Sequence, residues 1–391
     1  MDERLRTARR MREIRPFQVM ELLARAKALE AEGRSIVHME VGEPDFPTAP
    51  SITRAGIRAL EAGHTRYTAA GGLPALRQAI AGYYQTRFGV SVDPDRVIVT
   101  PGASGALQLA MSVFVGPGDE VLMADPGYPC NRHFVSLAGG RPVALPVGPE
   151  SGYQLRAREA ARAWTPATRM VLVSSPSNPT GTLLAPAELE ALSDLAAGHG
   201  ALLLVDEIYQ GLVYEQADST ALSLAEAPIV VDSFSKYFGM TGWRLGWLVA
   251  PESAVEPLTR LAQNIFLAAS TPAQYAALAA FEPGTIDLLE QRRQAFRERR
   301  DYLLPALREL GFGIPVTPQG AFYLYADCSA FCVDSDRFCR DLLEQEGVAV
   351  TPGLDFGSNR PQRHVRFAYT TDVERLQEGV RRIARFLERT R

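Results

Sequence analysis

The sequence predicts an α/β protein whose larger part is one mostly parallel, seven-stranded sheet flanked by helices. Three observations carry this. Between residues 93 and 250, seven short apolar runs alternate with longer segments of helical spacing, the pattern of a parallel sheet covered on both faces. The 391 residues are 46% hydrophobic and 22% charged, with a formal net charge of −4, enough apolar material for a sizeable core in two or three domains. Beyond residue 250 the pattern changes to an Ala- and Arg-rich helical stretch, residues 272–310, and then to a shorter mixed segment.

Taken in order, the first fifteen residues, MDERLRTARRMREIR, have no apolar centre of the kind a secretory signal needs, and Asp2, Glu3 and Glu13 argue against a transit peptide. They read as a solvated helical arm. MELLARAKALEAEG follows with helical spacing. The strand candidates are residues 96–100, 120–124, 142–147, 169–175, 201–207, 228–233 and 245–250. In the last segment GAFYLYA and HVRFAYT read as strands, and DVERLQEGVRRIARFLERT as an amphipathic helix.

Composition excludes several classes. Lys and Arg (41) nearly balance Asp and Glu (45), so the chain is no strongly basic nucleic-acid binder. No apolar run approaches the ~18 residues that cross a bilayer, and the chain reads as cytoplasmic. Four cysteines are too few for a disulfide scaffold. Cys328, Cys332 and Cys339 match no zinc spacing, and the five histidines are scattered, so a metal site is not expected.

Four segments carry candidate chemistry, each at the carboxyl end of a predicted strand, where open α/β sheets place ligands. In IVTPGASGALQL a strand runs through Gly102, Ala103, Ser104 and Gly105 into a helix. Small residues and a helix N-terminus make a phosphate cradle; a plain strand-to-helix turn has the same composition. SSPSNPTG holds Asn178 in a tight turn, either facing a ligand oxygen or serving only its own turn. Asp206 ends an apolar strand, with Tyr209 three residues on. A buried carboxylate there wants a positive partner, unless it caps a helix.

The fourth segment is IVVDSFSKYFGMTGWRLGW, with Ser233, Ser235, Lys236 and Arg244. Of the 41 basic residues only Lys27 and Lys236 are lysine, which leaves 39 arginines. Lys27 fits the wet face of a helix. Lys236 lies among small and aromatic residues, where desolvation and a nearby arginine lower the pKa of an amine and leave it nucleophilic. An ion pair with Asp206 or Asp232 is the structural alternative.

The combination, in this chain order, resembles the class I/II aminotransferase family of fold type I pyridoxal-phosphate enzymes. VGEPDF, TRYTAAGGLPALRQAI, DPGYP, PQGAFYL and HVRFAY are similar to family landmarks, and the likeness covers nearly the whole chain. It implies a discontinuous smaller α+β domain: residues 1–45 an arm and part of that domain, 46–285 the large cofactor-binding domain, 286–391 the small C-terminal domain.

Carried over by residue, the resemblance makes Lys236 the lysine that forms a Schiff base with pyridoxal 5′-phosphate and later moves the substrate Cα proton. Asp206 pairs with the pyridine nitrogen, while Tyr209 and Asn178 bond the ring's phenolic oxygen. Tyr128 stacks on the ring. Ala103, Ser104, Ser233, Ser235 and Arg244 surround the phosphate, with Ala103 offering only its N–H. Tyr67 reaches the phosphate from a neighbouring subunit, implying a homodimer with shared active sites. Arg366 takes the substrate α-carboxylate bidentately, assisted by Gly42 and Asn178.

The implied activity is transfer of an amino group from an L-α-amino acid to a 2-oxo acid by a ping-pong cycle. Cofactor residues do not dictate which bond breaks, so a carbon–sulfur β-lyase or a cyclopropane-forming synthase of the same fold stays open. A non-catalytic pyridoxal-phosphate-binding regulator is the rival of another class. Side-chain specificity is not legible among 39 arginines.

Overall fold

In the computed structural model, which describes residues 6–12, 14 and 16–390, the seven apolar runs are strands of one sheet. After the two-residue strand β1 (Val37–His38) come β2 (Val97–Thr100), β3 (Glu120–Asp125), β4 (Arg141–Pro146), β5 (Thr168–Ser174), β6 (Leu202–Asp206), β7 (Ile229–Ser233) and β8 (Gly246–Val249). Their order across the sheet is β2-β8-β7-β6-β5-β3-β4. Only β8 runs antiparallel to its neighbours. Central strands buried on both faces explain the unbroken apolar runs: Val171, Val173, Leu204, Val205, Val230 and Val231 are all at most 2% exposed. Each such side chain contributes roughly 1.5–3 kcal/mol by leaving water.

Helices cover the sheet. In chain order they are α1 (Gln18–Ala31), α2 (Pro50–Glu61), α3 (Pro74–Phe88), α4 (Gly102–Phe114), α5 (Pro129–Ala138), α6 (Ala157–Ala163), α7 (Pro186–Gly198) and α8 (Glu252–Ile265). Four of these, α4 to α7, are the crossovers that parallel pairing from β2 through β6 requires. Parallel register aligns the carboxyl ends of β5, β6 and β7, with Ser174 opposite Asp206 and Asp206 opposite Val231. The turns carrying Asn178, Asp206 and Lys236 therefore leave the sheet side by side.

The helical stretch expected over 272–310 is two helices, α9 (Thr271–Leu278) and α10 (Pro283–Leu310), separated by a 3-10 turn at Ala279–Phe281. Glu282 is extended, and Pro283 opens α10 at its first position, where the missing N–H is no loss. The arm holds a 3-10 turn at Arg9–Arg12 rather than an α-helix among its described residues; Met1 to Leu5, Glu13 and Arg15 lie outside them. Four consecutive residues of RRMR carry no apolar stripe for a longer helix to bury.

Beyond α10 lie β9 (Tyr323–Asp327), α11 (Ser335–Glu346), β10 (Val348–Ala349), β11 (Thr351–Pro352), β12 (His364–Ala368) and α12 (Val373–Thr390). β11, β12 and β9 form an antiparallel sheet in which Arg366 lies opposite Tyr325 on one side and Thr351 on the other. β1 pairs in parallel with β10, so the chain before VGEPDF is joined to this C-terminal part. The next residues, Met39 to Gly42, run from that small sheet toward the carboxyl edge of the large one. Among the described residues no helix is long and apolar enough to cross a membrane.

Candidate active site

At that edge a cavity of about 210 Å³ is lined by Gly42, Ala103, Ser104, Tyr128, Asn178, Asp206, Tyr209, Ser235, Lys236, Arg244, Tyr323 and Arg366. Phe17, Val19, Met20 and Val41 give it an apolar wall. A larger cleft of about 630 Å³ adjoins it, sharing Phe17, Tyr128 and Ser174. The smaller cavity is the candidate site, because the amine, the strand-end carboxyl and both guanidiniums line it and not its neighbour.

Lys236 follows β7, and its Nζ donates to the carbonyl of Gly42 at 2.6 Å. Among the described residues it forms no ion pair with Asp206 or Asp232, so the structural alternative is not realised. Burial pushes its pKa down to about 8; Glu43 opposes this, Arg366 and Arg244 add to it, and Asp206 opposes weakly. Gly42 permits the approach: a Cβ there would run into the Tyr323 hydroxyl.

Asp206 accepts the amide of Ile208 at 3.2 Å and caps no helix. Burial pushes its pKa up to about 6, against the pull of that amide and of Lys236. Among the described residues it has no ion-pair partner, so its need for a cation is unmet within the chain. Tyr209, three residues on, sits with its hydroxyl 2.7 Å from that of Tyr323.

The phosphate-cradle reading meets its geometry at the start of α4. Gly102 has φ +73°, and a Cβ there would come within 2.7 Å of Arg244 Nη2. Glycine is thus required both by the backbone and by the guanidinium laid against it. Arg244 itself is left-handed, φ 52°, a conformation that costs a non-glycine residue about 1–2 kcal/mol and is found where a site over-determines the backbone. Its Nη1 donates to Thr241 O at 3.0 Å.

Arg366 comes from β12 and is buried. Its Nη1 donates to Asn178 Oδ1 at 2.8 Å and its Nη2 to the carbonyl of Glu40. Its Nε is buried with no hydrogen-bond partner among the described residues. The guanidinium lies over the Tyr323 ring, 4.3 Å from the centroid, and near Phe356 at 4.8 Å.

Two candidate residues stand apart. The Ser233 hydroxyl lies 2.9 Å from Ser235 Oγ and 3.1 Å from Leu245 O; it stands behind Ser235 and does not line the cavity. Tyr67, between α2 and α3, is 82% exposed and is not among the residues that line this chain's cavity. Sequence reasoning missed Tyr323 as a site residue, and with it the apolar wall from α1. The signals for Tyr323 were its place in the PQGAFYL landmark, which assigned it no role, and the alternation in AFYLYA, which also describes any half-buried strand.

A sheet in this order, with an amine, a carboxyl and two guanidiniums gathered over its carboxyl edge, defines a fold type I α/β enzyme. The chain belongs to the aminotransferase class I and II family, which residues 34–383 match and whose members are generally pyridoxal-phosphate-dependent. It is 38% identical to the valine–pyruvate aminotransferase of Mycobacterium tuberculosis, over 95% of this chain and 96% of that one. It is 36% identical to an aspartate aminotransferase of Geobacillus stearothermophilus, over 98% and 99%. Among solved structures it superposes on an aminotransferase from Mycobacterium tuberculosis with TM-score 0.94 at 37% identity, covering 98% of this chain and all of that one. The Thermus thermophilus aspartate aminotransferase with maleate gives 0.92 at 36%, covering 97% and 99%. The protein is an aminotransferase, an enzyme of amino-acid transamination.

Proposed function

We propose that this cavity holds pyridoxal 5′-phosphate and runs a ping-pong transfer from an L-α-amino acid to a 2-oxo acid. The observation that carries the reading is a half-buried amine of lowered pKa, bonded among the described residues only to a backbone carbonyl, in one cavity with a carboxyl that has no ion-pair partner among those residues. The donor set fits the group: Lys236 for its aldehyde, Asp206 for the pyridine nitrogen, Tyr209 and Asn178 for the phenolic oxygen, Tyr128 for the ring face. Ala103, Ser104, Ser235 and Arg244 would hold the phosphate, with Ser233 orienting Ser235. When bound, the cofactor supplies a carbonyl that condenses with amines and a ring that accepts the electron pair released at the substrate Cα.

The chain's own residues do the rest. Lys236 Nζ, with a pKa of about 8, is neutral in roughly a tenth of molecules at pH 7 and would be the nucleophile; freed again by a substrate amine, it would take the proton from the substrate Cα and deliver it across the shared nitrogen to the cofactor carbon that had carried the aldehyde. Asp206, ionised above about pH 6, keeps a proton on the nitrogen it faces. Arg366 receives the α-carboxylate in a planar fork, which its unpartnered Nε leaves room to form, and Gly42 and Asn178 flank that carboxylate. The 82% exposure of Tyr67 supports a homodimer in which Tyr67 of the partner subunit completes the phosphate site.

The test compares two variants. Arg366→Lys keeps charge but not the fork, so cofactor retention should stay near wild type while kcat/KM falls by a similar large factor for every amino donor. Arg244→Lys should release cofactor first. If Arg366→Lys releases cofactor and Arg244→Lys retains it, the two roles are reversed and the reading fails.

A further inference from the structure

We propose that Tyr323 is a positioning residue for both ends of the site: its hydroxyl directs the proton of Tyr209 into the cavity, and its ring seats the guanidinium of Arg366. The inference rests on the cofactor reading above and adds to it a residue outside the predicted set.

The two hydroxyls are 2.7 Å apart and either atom could be the donor. The cofactor reading chooses: a Tyr209 that faces the phenolic oxygen spends its proton there, which leaves Tyr323 as the donor of the bond between them. Tyr323 Oη lies against Gly42, so closely that a Cβ there would collide with it; a Cα offers no lone pair. Among the described residues the Tyr323 hydroxyl has one hydrogen-bond partner, Tyr209. If Tyr209 donated to Tyr323 instead, the phenolic oxygen would lose that donor, and the Tyr323 proton would be left to find a partner in the cavity that both residues line. If Tyr323 donates to Tyr209, both groups are served and the Tyr209 proton is left for the cavity. Burial keeps both phenols protonated, so this direction holds across the working pH range. A hydroxyl that accepts one hydrogen bond becomes a stronger donor in the next.

The other face of the same ring lies under Arg366. The guanidinium carbon is 4.3 Å from the Tyr323 centroid, in the range where a cation is attracted to the ring. β9 and β12 are paired strands, with Tyr323 opposite Ala368, so the ring and the arginine are carried on one rigid ladder. Tyr323 is therefore placed to hold the group that faces the ring oxygen and the group that faces the substrate carboxylate in fixed relation.

The two contacts are separable. Tyr323→Phe removes the hydroxyl and keeps the ring under Arg366; Tyr323→Leu removes both. A donor facing the phenolic oxygen stabilises it as an anion and so lowers the pH at which the adjoining Lys236 nitrogen gives up its proton. The readout is the pH midpoint of the visible absorbance of the pyridoxal-phosphate-loaded enzyme. In Tyr323→Phe it should rise by about half a unit to one unit, the effect of one hydrogen bond, with kcat lowered and donor KM unchanged. In a Tyr209→Phe background the same change should move the midpoint no further. Tyr323→Leu should raise the donor KM as well. An unmoved midpoint in Tyr323→Phe, or an equal shift in the Tyr209→Phe background, overturns the hydroxyl role; an unchanged KM in Tyr323→Leu overturns the ring role. A wild-type enzyme that takes up no cofactor would show no titration at all, and that outcome overturns the cofactor reading itself.

Discussion

Lys236 is a half-buried amine in a cavity that two guanidiniums also line, and its chemistry follows from that. In most proteins a lysine is a protonated surface charge; here burial brings its pKa to about 8, within reach of neutral pH. The sign is direct: the charged form is disfavoured, so the nucleophilic form grows as pH rises and is complete above the shifted value. Cofactor-free enzyme mixed with pyridoxal phosphate should therefore react at a rate that climbs through about pH 8 and then levels, followed by stopped-flow absorbance. A rate still climbing in the ordinary lysine range would contradict the assigned environment. Lys236 was legible because a lone lysine after an apolar strand has few structural explanations. Asp206 was legible for the same reason, since a charge at the end of a buried run needs a partner. Tyr323 was not, because an aromatic residue on a strand is what a core also requires, and only the third dimension shows its hydroxyl meeting Tyr209 and its ring under Arg366.

At the scale of elements, the strands were readable from the sequence because two-sided burial removes polar residues from the central runs, and the helices between β2 and β6 go with parallel pairing; the antiparallel β8, reached through a 3-10 turn, carried no such signal. The two-residue strands β1, β10 and β11 were not readable, since two residues carry no period. Yet β1 matters to the site. His38 on β1 lies 2.8 Å from Glu40 Oε1 and 3.1 Å from Glu30 Oε1 on α1, and the carbonyl of Glu40 receives Arg366. The hydrogen bond to Glu40 raises the His38 pKa against the effect of burial, with Glu30 helping. A raised folded-state value means that the pair's stabilisation is fully present below the ordinary imidazole pKa and is lost as pH rises through the shifted one. The melting-temperature difference between wild type and His38→Gln should accordingly be widest in mild acid and narrow in mild alkali. A difference independent of pH would mean that the histidine is held neutral and that packing alone fixes β1.

At the scale of the whole molecule, the cavity draws on both ends of the chain and on the middle, with Gly42 from the amino-terminal segment, Lys236 from the large sheet and Arg366 from the small one. If Tyr67 of the partner subunit also belongs to it, a mixed dimer of Lys236→Ala and Tyr67→Ala chains contains one site with both lesions and one with neither. Such dimers should regain one fully competent site, measured as activity above either parent after the two are mixed and reassorted. No gain would place each site within one subunit. The central claim, that Lys236 is the residue bonded to the cofactor, has a direct test because the chain holds only one other lysine, Lys27, which is exposed and paired with Glu30 at 2.8 Å. Borohydride reduction of the pyridoxal-phosphate-loaded enzyme, followed by peptide mapping, should place the reduced adduct on the peptide containing Lys236; an adduct on Lys27, or none, would contradict the account.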